Sequence, residues 1–422
     1  MPVEPVSVNE QNELNEQNEL NEIMSHKVII PIGPYHPLQE EPEFFRLYVE
    51  GEKVVDIDIV IGYMHRGIEE LSEHKHFDQV AFLVERICGI CSNSHPFAYV
   101  NAVEDLAKIL VPERALYIRT IIAELERLHS HLLWLGLAGH FIGYNTVWMW
   151  AWKYREPVLD CFEMITGNRQ HYGMMKVGGV RRDIEEKDIP MLKKTLDELV
   201  PALNLFKGAV MDDPVIQARL KGVGVLTKKQ ALDFCVVGPT ARASGLDLDV
   251  RRDDPYGVYD KVNWNVIVEK EGDIFAKTVV RILEMYESVS IIRQCLEKMP
   301  KGEIDADIKE IPPGEGIGRV EAPRGECFHY VRSDGTNRPI RHKIRAPSFM
   351  NVASNKVAAV GGTISDAAIT LAAVDPCYCC TERTTVIRKP DDKKIMNGWD
   401  LIKLSQEKID RLKQEMRCPK AK

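Results

Sequence analysis

No stretch of this chain reaches 18 consecutive apolar residues, which removes a membrane-spanning helix from consideration. Positive charge is in deficit: 55 Lys and Arg stand against 63 Asp and Glu, a net charge of −8. Nucleic acid is therefore not an expected partner, because phosphates call for a basic face. No charged-then-apolar leader opens the chain, and export by a signal peptide is not expected. Cysteine is sparse, ten in 422 residues, too few for a disulfide-stapled scaffold. Five of the ten fall in two clusters, Cys88 with Cys91 and Cys377 with Cys379 and Cys380, which suits metal ligation in a reducing compartment. A cytoplasmic location follows as the expectation, with any membrane connection made through partner subunits.

The length allows two or three domains, yet no clear linker interrupts residues 27–383. One large α-rich α+β domain is expected there. Residues 1–24 stand apart, because Asn9 to Glu22 repeats a six-residue polar unit with one Leu each. Such a tract buries too little apolar surface to offset its ordering entropy and reads as disordered. Phe45, Leu47 and Val49 alternate with polar residues, Glu50-Gly51-Glu52 supplies a turn, and Val55, Ile57 and Ile59 alternate again. That is a hairpin signal. After Pro112, residues Ile118, Ile121, Ile122, Leu125, Leu128, Leu132 and Leu135 recur at spacings of three and four, which predicts a long amphipathic helix. Further helices are predicted over 146–165 with Gly167 as C-terminal cap, over 189–206 and over 274–299. Residues 311–351, rich in Gly, Pro and Arg, read as loops with short strands. An apolar segment over 358–374 leads to the last cysteine cluster, and 384–422 form a charged tail.

Two cysteine pairs stand out, Cys88-Gly89-Ile90-Cys91 and Cys377-Tyr378-Cys379-Cys380. A CxxC turn brings two sulfurs close enough to share a metal, and two such turns make a four-thiolate site. Zinc, a redox metal and thiol–disulfide chemistry all remain open on ligand type alone. The pairs lie near opposite ends of the chain, whereas zinc ribbons place theirs about 15–20 residues apart. Such a site ties both ends of the fold together.

The flanks carry more. Arg86-Ile87 precedes the first pair and His95 follows it, while Asp375-Pro376 opens the second, which closes in Thr381-Glu382-Arg383. With Gly33-Pro34-Tyr35-His36-Pro37, His65-Arg66-Gly67-Ile68-Glu69, the run Glu126 to His131, Gly178-Gly179-Val180-Arg181 and Glu321-Ala322-Pro323-Arg324-Gly325, the chain resembles the large subunit of [NiFe]-hydrogenases. The likeness is to the membrane-bound, energy-converting group 4, which is related to the quinone-site subunit of respiratory complex I. That subunit shares several motifs but lacks the cysteine pairs.

The resemblance implies a large-subunit fold with a central long-helix bundle, an N-terminal β-hairpin region and a metal site between the two CxxC motifs. It implies a nickel ion bridged to an iron that carries CO and cyanide. Cys88 and Cys377 are then terminal nickel ligands, and Cys91 and Cys380 bridge both metals. Arg324 stands over the iron's diatomic ligands, and His95 lies beside a bridging sulfur, where a hydrogen bond would tune it. Glu41 is expected to relay protons, in preference to Glu40; a solvated acidic turn is the plainer reading of that run. Glu69 corresponds to a magnesium ligand, although the usual C-terminal histidine partner is replaced by Arg383. His129 and His131, two apart on a helix, point to different faces. Cys379 reads as a bystander or as a tuning thiol. Cleavage after Arg383 would remove 384–422 on maturation; a retained helix over 399–416 is the alternative. The implied activity is reversible interconversion of dihydrogen with two protons and two electrons. Its partners are a small [4Fe–4S] subunit, ferredoxin and ion-translocating membrane subunits, the chain being peripheral on the inner face of the cell membrane. A metal-free coupling subunit like that of complex I, a zinc-stabilised assembly scaffold, and a relative dedicated to formate- or carbon monoxide-linked hydrogen evolution are the rivals.

Overall fold

The computed structural model describes residues 27–37, 39–381 and 398–417. The repeat expected to be disordered and the cleavage point at Arg383 lie outside the described residues. Strands β1 (Val28–Ile32), β2 (Phe44–Glu50) and β3 (Lys53–Val60) form an antiparallel sheet in that order. The predicted hairpin is β2–β3, turning at Gly51 with φ 60°. Phe45, Leu47 and Val49 face inward as their alternation requires. On β3 the phase differs: Val54 and Ile57 are buried rather than Val55 and Ile59. A bulge between Tyr48 and Val49 shifts the register, and an extra residue in one strand moves the inward face along by one.

Helices α1 (Ile68–Ser72), α2 (Phe77–Glu85), α3 (Ser94–Ala107), α4 (Glu113–Phe141), α5 (Asn145–Thr166), α6 (Ile189–Met211) and α7 (Ile274–Lys298) follow. Helix α4 begins after Pro112 as predicted, and α5 ends at Gly167 in a left-handed conformation, φ 79°. Asp273 caps α7 by accepting the Ala276 N–H at 2.8 Å. Helix α4 departs from the amphipathic expectation, because α5, α7 and other elements enclose it. Its charged residues Arg119, Glu124, Glu126 and Arg127 are as buried as its leucines.

Residues 311–351 correct the reading as loops. They hold two ten-residue strands, β4 (Pro313–Ala322) and β5 (Gly325–Asp334), with β6 (Arg341–Arg345) completing an antiparallel sheet. The glycines that resembled loop composition are demanded by a helix. A Cβ at Gly316 would lie 2.2 Å from the Ala102 carbonyl oxygen, and one at Gly318 2.0 Å from that of Ala98. Only strand residues without side chains let α3 lie directly on the sheet. Ala322 pairs with Gly325, so Pro323-Arg324 is the two-residue turn of the β4–β5 hairpin. Helix α8 (Ile364–Ala373) leads to the second cysteine turn, and α9 (Gly398–Arg417) covers the predicted tail helix. Among the described residues, no helix is long and apolar enough to cross a membrane.

Candidate metal centre

The first cysteine pair lies in the turn between α2 and α3. Cys88 Sγ accepts the backbone N–H groups of Ile90 and Cys91, both at 3.2 Å, which orients that sulfur as a thiolate-type acceptor. The second pair lies in a short 3₁₀ turn, Tyr378–Cys380, closed by the Cys380 N–H on the Cys377 carbonyl at 3.1 Å. Asp375 enters this turn at φ 55°, a strained conformation for a residue with a side chain. Its carboxylate is held by the Arg324 guanidinium at 2.5 Å.

The two turns converge. Cys88 and Cys377 sulfurs lie 2.8 Å apart, Cys377 and Cys380 3.0 Å, and Cys377 and Cys379 3.3 Å. These separations exceed the ~2.05 Å of a disulfide bond, and all four thiols are free and buried. The ligand atoms of Cys88, Cys377, Cys379 and Cys380 lie within 4.8 Å of one another. Cys379, read from sequence as a bystander or tuning thiol, is thus inside the cluster. Cys91 is not in that group; its sulfur faces Cys88 and lies 3.7 Å from Arg324 Nη1. Buried soft donors crowded at one point fit a thiophilic transition metal. The Cys88 thiol is pushed down despite burial by hydrogen bonds from its neighbours, beginning with Cys377. Hydrogen bonds to Cys377 and Cys380 pull the Cys379 thiol down, but its contact with Cys88 and its burial outweigh them and push it up to about 12.

Arg324 projects from the β4–β5 turn. Its Nε donates to the Asp375 carbonyl at 2.7 Å and its Nη1 to Ser130 Oγ on α4 at 2.8 Å. The ion pair with Asp375 and the contact with Cys91 therefore coexist. His95, on the first turn of α3, puts Nε2 3.5 Å from Cys380 Sγ. Burial lowers its pKa to about 4, so the ring is neutral.

Glu41 Oε2 accepts the Cys379 N–H at 2.6 Å, and Glu43 accepts the Thr381 hydroxyl at 3.2 Å. Both carboxylates grip the second cysteine turn, so this run is more than a solvated acidic turn; Glu40 exposes part of its surface, yet burial of its carboxyl, opposed by the Arg324 charge, pushes it up to about 8. Burial, and then the Cys88 charge, raise the Glu41 pKa. Glu69 offers little to magnesium. One carboxylate oxygen pairs with Lys343 at 2.6 Å and the other accepts the Ile344 N–H at 2.9 Å. His129 accepts from Arg155 at 2.8 Å and His131 faces Glu284 at 2.9 Å, on different faces as their spacing requires.

Two residues matter here that sequence reasoning passed over. Arg66 donates to the carbonyls of Arg86 (2.6 Å), Ile87 (2.8 Å) and Cys379 (3.4 Å), strapping one cysteine turn to the other. Glu126 of α4 accepts the N–H groups of Asn93 (2.5 Å) and Ser94 (3.1 Å) and caps α3 at the cysteine end. Burial pushes its carboxyl up to about 8. Both sit in motifs quoted above, but a helix-interior Glu gives no sign of which backbone it serves. A cleft of about 250 Å³ reaches the thiols from the surface, with Arg66, Glu69 and Lys343 at its wall and Cys379 and Cys380 on its floor.

Comparison with known proteins agrees. The family described as respiratory-chain NADH dehydrogenase, 49 Kd subunit, matches residues 142–311 and 307–383, and that described as nickel-dependent hydrogenase matches 66–137. The membrane-bound hydrogenase subunit alpha of Pyrococcus furiosus is 42% identical over 398 residues, covering 90% of this chain and 93% of the relative. The carbon monoxide-induced hydrogenase of Rhodospirillum rubrum is 39% identical, with 84% and 99% covered. A subunit of the membrane-bound sulfane sulfur reductase, an archaeal respiratory membrane complex, superposes with a TM-score of 0.82 at 33% identity, over 86% of this chain and 100% of that one. With that coverage and identity, the chain belongs to the family that unites the large subunits of group 4 membrane-bound [NiFe]-hydrogenases with the 49-kDa-type subunit of complex I.

Proposed function

We propose that the chain is the catalytic subunit of a membrane-associated [NiFe]-hydrogenase. The observation that carries this reading is the meeting of both cysteine turns in one buried cluster against Arg324. Cys88, Cys91, Cys377 and Cys380 would hold the nickel, with Cys91 and Cys380 shared with an iron carrying CO and cyanide. When bound, the metals supply the two-electron interconversion of dihydrogen with protons.

The chain's own residues do the rest. Arg324, fixed by Asp375 and Ser130, keeps a positive, directional donor beside Cys91 and offers hydrogen bonds to an anionic diatomic ligand. Glu41 is anchored on the Cys379 N–H and half-buried. Its raised pKa lets it take a proton from the thiol cluster and release it outward. Burial of the cluster excludes bulk water apart from the cleft, which strengthens these electrostatic contacts. Electrons pass to a small [4Fe–4S] partner subunit and on to a ferredoxin-type carrier, and membrane subunits couple the flow to ion movement. Residues 25–383 form the catalytic domain, and the tail from 384 is removed after Arg383 once metals are loaded. An intact mass ending at Lys422 on active enzyme would refute that last step.

The second reading is a metal-free coupling subunit, favoured by the match to the 49 Kd family over residues 142–383. Infrared spectroscopy with metal analysis on the purified complex separates the two. Bands from iron-bound CO and cyanide, with nickel near one per chain, support the hydrogenase. Absence of both the bands and nickel would leave the coupling subunit as the standing reading.

A further inference from the structure

The head of Arg324 is held by Asp375 and Ser130, but the hold on its backbone comes from another element. The short helix Pro347–Asn351 ends in Asn351, whose side chain is completely buried. Asn351 Nδ2 donates to the Arg324 carbonyl oxygen at 3.0 Å, and Oδ1 accepts the Val237 N–H at 3.0 Å. The partners fix which end of the amide is which, because a peptide N–H only donates and a carbonyl only accepts. On the same helix, the Ser348 hydroxyl oxygen accepts the Cys377 N–H at 3.0 Å. One helix thus touches the Arg324 turn with its last residue and the second cysteine turn with its second.

These contacts close a circuit. Asp375, two residues before Cys377, takes the Arg324 guanidinium on its carbonyl and its carboxylate. The arginine side chain leads down to its own carbonyl, Asn351 joins that carbonyl to the helix, and Ser348 returns to Cys377. An arginine side chain has large rotamer freedom. Fixing the head alone leaves its backbone free to shift, and fixing the backbone alone leaves the head free to swing. Held at both ends, the guanidinium has one place to be.

The packing leaves this carbonyl to Asn351. Gly238 and Gly325 cross at the Arg324 peptide with φ of 70° and 122°. A Cβ on Gly238 would lie 2.4 Å from the Arg324 carbonyl oxygen, and one on Gly325 would lie 2.7 Å from the Gly238 nitrogen. Arg324 is almost fully buried there, so its carbonyl needs a donor from the protein. Arg127 grips the same hairpin at the Glu321 and Ala322 carbonyls, at 2.7 and 3.3 Å. That grip is on the strand before the turn.

We propose that Asn351 is a positioning residue for Arg324. Its amide fixes the arginine's backbone to the helix that also holds Cys377, and so sets the distance between the guanidinium and the sulfurs, including the 3.7 Å to Cys91. Any effect on the metals rests on the hydrogenase reading, whereas the clamp belongs to the metal-free chain as well.

The test is Asn351→Asp, which keeps the size and the acceptor for Val237 but sets an oxygen against the Arg324 carbonyl. In the full-length chain purified without metals, the readout is the Arg324 Nε–H signal in ¹⁵N–¹H correlation, assigned by its loss in Arg324→Lys. In the wild-type chain this hydrogen should exchange slowly with solvent, as its bond to Asp375 requires. Asn351→Asp should shift the signal and speed its exchange. Phe349→Ala, on the same helix but 36% exposed, should leave both unchanged whatever it costs in stability. Should Asn351→Asp fail to fold, Asn351→Ser replaces it, its hydroxyl too short to span both partners, with the same shift expected. A fast-exchanging Arg324 Nε–H in the wild-type chain overturns the proposal. So does a variant signal identical to wild type, or an equal change in Phe349→Ala, which would make the effect one of general loosening. On the loaded complex, Asn351→Asp should displace the infrared bands of the iron's diatomic ligands with nickel retained, and unmoved bands overturn the proposal. Absence of those bands from the wild-type complex, with the Arg324 signal behaving as expected, sinks the hydrogenase reading and leaves the clamp standing.

Discussion

Two buried regions a few turns apart on α4 handle polarity in opposite ways. On the side facing α7, charges are enclosed as matched sets. Arg242 pairs with Glu284 at 2.7 Å and Glu321 at 2.8 Å, Arg251 with Glu124 at 3.1 Å and Asp249 at 2.7 Å, and Arg127 with Glu124 at 3.2 Å. The arginine charges hold Glu124 at about 2 against the pull of burial. On the cysteine side few counter-charges exist and burial wins: Glu126 rises to about 8 and His342 falls to about 3. The first region is a network of matched charges; the second holds one fixed ion pair, Arg324 with Asp375 at 2.5 Å, and around it carboxyl and imidazole groups whose ionised forms burial disfavours. On the hydrogenase reading, those groups leave the sulfurs free to take up metals and pass protons.

The sharpest contrast is between Cys377→Ala and Glu284→Ala. The cysteine change should abolish nickel binding and dihydrogen-dependent activity outright, while urea unfolding of the metal-free chain shifts by no more than about 2 kcal/mol. The Glu284 change leaves Arg242 and His131 short of their partner, and unfolding should show a loss of about 3–5 kcal/mol. If both substitutions proved equally destabilising, the two regions would not be separate.

Glu41→Gln should lower turnover by about 10²–10⁴-fold while nickel content and the infrared bands persist. A loss of nickel instead would make Glu41 an anchor of the cysteine turn and not a proton carrier.

The two regions also differ in pH response. The His342 pKa is depressed, so its contribution to stability is full above the unfolded value near 6.5 and is lost as pH falls toward about 3. Glu124 is depressed to a lower value, and its share disappears only as pH falls from about 4.5 toward about 2. Glu126 is raised, so its share is full below about 4.5 and lost as pH rises through about 8. Acid unfolding monitored for His342→Phe should lose the earlier part of the decline, and for Glu124→Gln the later part. The smallest expected effect is Glu69→Gln, which removes a partly exposed pair with Lys343 and should cost about 0–1 kcal/mol with magnesium addition making no difference.

The elements that sequence periodicity announces are those whose partners do not matter: the β2–β3 hairpin, α4 after Pro112, the cap at Gly167. Where a neighbour decides, the pattern misleads. Gly316 and Gly318 belong to a strand because α3 presses on them, and no local property says so. Arg119, Glu124 and Arg127 look like the wet face of α4 because nothing in a single helix reveals what encloses it. The cysteine turns and Arg324 were legible as motifs, and Glu41 was chosen from an acidic run for its place in the resemblance. The buried row of His95, His329 and His342 was not legible. His329 and His342 are 13 residues apart on paired strands, and nothing in their spacing points to a histidine more than 230 residues earlier.

The contact between Cys88 and Cys377 spans 289 positions, and this has a consequence in time. At about 5–20 residues per second, the second cysteine leaves the ribosome about 15–60 s after the first. Throughout that interval the first turn has neither its sulfur partners nor the Arg66 contact with Cys379. No nascent chain shorter than Cys380 contains all the cysteines of the cluster. On the hydrogenase reading, metal delivery therefore has to wait until the second cysteine turn is made and folds back against Cys88.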